Sequence, residues 1–73
     1  MDETSLINMA NQIADFFQPY TEAESIDGIT THIQSFWEPR MRAGLSAALD
    51  ANPDAFHPHV VAAVKRLAAA AQS

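Results

Sequence analysis

The sequence contains no cysteine, so neither a disulfide nor a thiolate metal site can brace the fold. Its two glycines are too few for the glycine-rich loops that cradle phosphates or dinucleotides. No apolar run approaches the ~20 residues that a bilayer span needs, so no membrane partner is expected. Met1-Asp2-Glu3-Thr4-Ser5 carries no positive charge; no secretory signal is read there, and a cytoplasmic location is expected. Lysine and arginine are absent from residues 1–39, which hold the acids Asp2, Glu3, Asp15, Glu22, Glu24, Asp27 and Glu38. All the bases follow (Arg40, Arg42, Lys65, Arg66), against Asp50 and Asp54. A net charge of −5 disfavours nucleic acid as a partner. The uneven placement fits a solvated acidic face, or equally two faces of opposite sign that orient docking on a larger protein.

What the chain does have is apolar content. At 48% hydrophobic it can bury enough to fold, as one small domain spanning residues 1–73. Scaling of folded surface with mass gives roughly 4,400 Å² exposed. Burial at ~25 cal/mol/Å² then supplies on the order of 105 kcal/mol, and ordering the chain costs about 110 kcal/mol. The two nearly cancel. Good helix packing or a partner surface must supply the margin, and a partner is expected.

Prolines 19, 39, 53 and 58 separate stretches with helical periodicity, and no strand alternation is present. The spacing predicts helices over about 4–17, 22–37, 39–50 and 58–71, an all-α, small compact bundle of four short helices. In the first, Leu6, Ala10, Ile13 and Phe17 share a line flanked by Met9, Phe16, Ile7 and Ala14. That arc covers about half the circumference, so the helix should touch two surfaces. The second opens with a capping box from Thr21 and Glu24 and continues in a stripe of Ile26, Ile29, Ile33, Phe36 and Trp37. Gly28 lies on its polar side, where it is either accidental or admits a close approach by another backbone. The third uses Pro39 as its first residue and presents Met41, Leu45, Ala48 and Leu49. A turn at Asn52-Pro53-Asp54 leads to a helix with His57 near its cap and Val60, Val61, Val64, Leu67, Ala68 and Ala71 as its stripe.

Catalytic and metal chemistry find little footing, and no catalytic, cofactor-binding or metal-ligating residue is assigned. His57 and His59 are two apart, which should send them to different sides of a helix start. His32 borders an apolar stripe near Phe36, where a packed histidine is commoner than a ligand, and Asp or Glu would have to complete any metal site. The serines and threonines lack a glycine elbow, and a chain this small has little room for a substrate pocket.

The most unusual segment is Phe36-Trp37-Glu38-Pro39-Arg40-Met41-Arg42. Trp37 anchors the bend while the arginines pair with Glu38 or Asp27, or Trp37, Arg40 and Arg42 form a partner contact, since Trp and Arg dominate interface hot spots. Both can hold together, with Trp37 structural, the arginines facing out, and Phe17 and Phe36 shaping the core beneath. A helix-turn-helix at the Pro39 corner is disfavoured, because two arginines neutralise too few phosphates.

Met9-Ala10-Asn11-Gln12-Ile13-Ala14, Phe16-Phe17, and His32-Ile33 running to Phe36-Trp37-Glu38-Pro39-Arg40-Met41-Arg42 resemble the delta subunit of NAD-dependent formate dehydrogenase. The resemblance spans residues 6–67. It implies a cytoplasmic accessory subunit of a molybdenum- or tungsten-containing complex that oxidises formate and reduces NAD. The larger subunits of such complexes hold the pterin-bound metal, iron–sulfur clusters and flavin. The small subunit is expected to dock on the catalytic (alpha) subunit and to support assembly, stability or cofactor insertion. A self-associating homodimer, motivated by the broad apolar arc of the first helix, is the alternative.

Overall fold

A computed structural model describes residues 2–72, with side chains to residue 70. Four α-helices carry it: α1 (Glu3–Phe16), α2 (Glu22–Phe36), α3 (Pro39–Ala51) and α4 (Pro58–Gln72), with a 3-10 turn at Pro53–Ala55 between the last two. No strand occurs among the described residues, and the all-α expectation holds. Each start has a local cause. The Asp2 carboxylate accepts from the Ser5 amide at 2.8 Å. Thr21 and Glu24 close the capping box in both directions, at 3.2 and 3.1 Å, so two otherwise unpaired amide donors are satisfied. Prolines open α3 and α4, where a missing N–H costs nothing.

The core draws on the predicted stripes in part: Ala63 and Phe56 join it from outside them, and Ala68 of the expected α4 stripe is exposed. Leu6, Ala10 and Ala14 of α1, Ile29 and Ile33 of α2, Leu45, Ala48 and Leu49 of α3, and Val60, Ala63 and Val64 of α4 are buried together with Trp37 and Phe56. α4 packs most extensively on α2, and α1 rests on α3, α4 and α2, the multiple surfaces its broad arc predicts. The exposed area is 4711 Å², close to the ~4,400 Å² expected from mass. The radius of gyration is 11.1 Å, against ~11 Å for a compact chain of this length.

Three expectations need correction. Phe36 is 74% exposed and shapes no core, because α4 covers the Ser25–Ile29–Ile33 side of α2 and Phe36 stands one residue, about 100°, off the line that continues to Trp37. Gly28 makes its closest approach to a ring and not to another backbone: a Cβ there would run into the Phe17 ring. His57 and His59 do not diverge, since their ring centroids are 4.7 Å apart. His57 precedes the helix and is not bound by helical spacing, so its Nδ1 turns back to accept the His59 amide at 3.0 Å.

Candidate functional site

The α2–α3 corner follows from its proline. A residue before proline is pushed out of the helical region, and Glu38 accordingly has φ −67° and ψ 154°. Trp37, at φ −93° and ψ 135°, is already extended, although its N–H still donates to Ile33 O at 3.0 Å. The turn drives the indole inward, and Trp37 is only 6% exposed. Arg40 and Arg42 leave from the first turn of α3, Arg40 exposed and Arg42 half-buried. Neither pairs with Glu38 or Asp27. The ion pair found among the described residues joins Arg66 to Asp27, both well exposed and therefore worth little.

Placing two guanidinium groups in a first turn runs against the helix dipole, whose positive end lies there. No acidic residue occupies that turn, and Glu38 makes no side-chain cap bond. Local stability gives no reason for this arrangement. Arg42 also edges an open cleft of about 430 Å³ that α2, α3 and α4 form with Ile33, Leu45, Val64 and Leu67.

A second concavity, about 420 Å³, lies between α1 and α2. Met9, Ile13, Phe16, Phe17 and Trp37 line it, with Gln12 and His32 as its polar members. Around it the aromatic side chains form chains of contact: Phe16 to Phe17 at 5.1 Å, Phe17 to Tyr20 at 5.5 Å, and His32 to Phe36 at 5.0 Å between ring centroids. Phe16 is 70% and Tyr20 51% exposed. His32 is thus an edge residue of an aromatic groove, and among the described residues no three His, Asp or Glu side chains converge.

A polar clamp inside the bundle has no counterpart in the sequence expectations. The Asn11 amide donates to Ala55 O at 2.9 Å, and its oxygen accepts the His57 N–H at 3.0 Å. Ser25, 1% exposed, meets His59 Nδ1 at 2.9 Å. A detectable signal existed for Ser25, which sits four residues before Ile29 on the buried line of α2. Asn11 had none, because its partners are backbone groups 44 and 46 positions away.

Comparison with known families adds the deciding observation. The family described as NADH-dependent formate dehydrogenase delta subunit FdsD matches residues 5–64. The chain belongs to this delta-subunit family. No curated protein and no solved structure matches it. The delta-subunit match begins within α1, takes in α2, the corner and α3 in full, and ends within α4. The clamp residues Asn11, Ser25, Ala55, His57 and His59 all lie within the delta-subunit region. No helix among the described residues is long and apolar enough to cross a membrane.

Proposed function

We propose that this delta subunit is a non-catalytic component of a cytoplasmic formate dehydrogenase complex that docks on the catalytic subunit and supports its assembly, stability or cofactor insertion. The contact is the corner of Trp37, Arg40 and Arg42, with Trp37 fixing the bend from beneath and the arginines reaching out. The family match is the observation that carries this reading. The two arginines support it, because they stand unpaired at the unfavourable end of a helix dipole, a placement that a carboxylate-bearing partner would compensate. Binding to a folded partner also adds free energy to a chain with little reserve of its own.

Replacing Arg40 and Arg42 together by Ala tests the contact. Co-purification with the catalytic subunit should fall, while helix content stays unchanged and the melting temperature is unchanged or slightly raised. A lowered melting temperature with intact co-purification would reveal two structural arginines and overturn the contact.

A further inference from the structure

We propose that the cleft between α2, α3 and α4 receives an apolar segment of the partner protein that carries an Asp or Glu at its Arg42 end. This inference rests on the docking reading above and extends that contact from the corner into the bundle. Arg42, Leu45 and Ser46 of α3 form one wall and Val64, Leu67 and Ala68 of α4 the other, each set at the spacing that shares a helix face. Ile33 of α2 completes the lining. Ile33, Leu45 and Val64 are buried, so the cleft bottoms on the core itself.

Arg42 decides what can cover the cleft. Of the described residues lining it, Arg42 alone is charged. Its side chain is half-buried, and the ion pair among the described residues is made elsewhere, by Arg66. Any body laid over the cleft strips the remaining water from Arg42, and a desolvated cation without a counter-charge is strongly unfavourable. A carboxylate in that body removes the penalty through charge-assisted hydrogen bonds to the guanidinium. A Lys or Arg there adds repulsion to it. Arg42 stands one helical turn before Leu45 and Ser46, so the carboxylate belongs at the corner end and the apolar side chains run on from it. Arg40 does not line the cleft and takes no part in this contact.

The shape of the cleft favours a protein segment over a small carboxylate. Pockets for small molecules enclose most of the ligand's surface, whereas this cleft, at about 430 Å³, is open to solvent. A small amphiphile would keep much of its apolar surface in water. A segment of a larger body brings its own backing, and the contacts around it exclude water from the rim. The corner residue Pro39 lines the cleft together with Arg42, so one approaching surface engages both corner and cleft.

The test uses the full chain with the catalytic subunit. Ser46→Leu combined with Ala68→Leu fills the cleft from both walls with a good helix former, so helix content should hold and the melting temperature should stay or rise. Capture should weaken by roughly tenfold or more, as when an interface anchor loses its pocket. Arg42→Glu should weaken capture at least as much, and a first-turn Glu suits the helix dipole, so its fold should hold. Arg40→Ala, outside the cleft, should cost much less. A photoreactive benzoylphenylalanine at position 43, an exposed residue of the lining, should cross-link to a partner segment containing Asp or Glu. Unchanged capture of the filled variant or of Arg42→Glu overturns the proposal, as does a cross-link to a second copy of this chain or to a segment without an acid. Should the filled variant lose helix content, the cross-link decides. Decanoate probes the small-ligand reading: saturable binding to the free chain at micromolar levels, seen in the Val64 and Leu67 methyl resonances, overturns the proposal, and none is expected. If the unmodified chain is not captured at all, the docking reading fails and this one falls with it. If the joint change of Arg40 and Arg42 to Ala lowers capture and filling the cleft does not, the cleft alone is refuted.

Discussion

Gly28 looks like a helix defect until Phe17 is placed beside it. Glycine within a helix costs about 1 kcal/mol relative to alanine, but here the missing Cβ makes room for an aromatic ring. Gly28→Ala should therefore yield none of the usual gain, because the ring must leave its seat. In a Phe17→Ala background the same change should stabilise by about 1 kcal/mol; urea denaturation of the four variants measures that coupling. Asn11 is the second telling residue. Asn11→Ala strands Ala55 O and the His57 N–H, so a loss of about 2 kcal/mol is expected, read as a lower denaturation midpoint with unchanged slope. Asp2 gives a pH signature. The Ser5 amide, and then its hydroxyl, hold the Asp2 carboxyl below the ordinary 3.8. Its helping effect on α1 is present above that value and fades as pH falls through the lower, folded value. A carboxyl-carbon titration of Asp2 should show the depressed midpoint, and Asp2→Asn should keep the cap while removing the transition. The capping residues were legible in the sequence because their partners lie three positions away. The roles of Gly28 and Asn11 were not, since each is defined by a residue on another element.

At the scale of elements, α2 shows how far periodicity reaches. Ile29 and Ile33 fell on the predicted buried line, and so did Trp37 at its end. Phe36 belonged to the same predicted stripe yet stands in solvent. Hydrophobic spacing gives the direction of a stripe but not its width, which depends on which neighbours cover it. Arg40 is exposed as expected, but Arg42 is half-buried at a cleft, and the expected pairing with Asp27 falls to Arg66, which α4 brings to that carboxylate. The candidate corner was thus readable as a bend with exposed charge. The groove beside it was hidden, since it exists only where α1 and α2 meet. Trp37 ties these elements together. Trp37→Ala should cost about 3–5 kcal/mol, a large part of the ~0.05–0.15 kcal/mol per residue that small domains possess. Circular dichroism should show that variant largely unfolded near room temperature, whereas Phe36→Ala should melt close to the parent chain.

The described residues measure 28 × 28 × 21 Å, and their core cluster draws on every helix. A body of this size has a small margin between burial and chain entropy. Saturation by its partner should therefore be visible thermally. At a free partner concentration of 100 times Kd, the delta subunit should gain about 2.7 kcal/mol, a rise of roughly 10–20 °C for a domain this small. Differential scanning fluorimetry through Trp37, with and without the catalytic subunit, measures it. An unshifted transition would argue against any such complex. The packing of α4 on α2 also has a consequence in time. The helix that shields Ile29 and Ile33 follows them in the chain, so during synthesis that side of α2 is made before its cover. Until α4 folds back, that side of the bundle stays unsealed, and the order of synthesis becomes a variable in how the core closes.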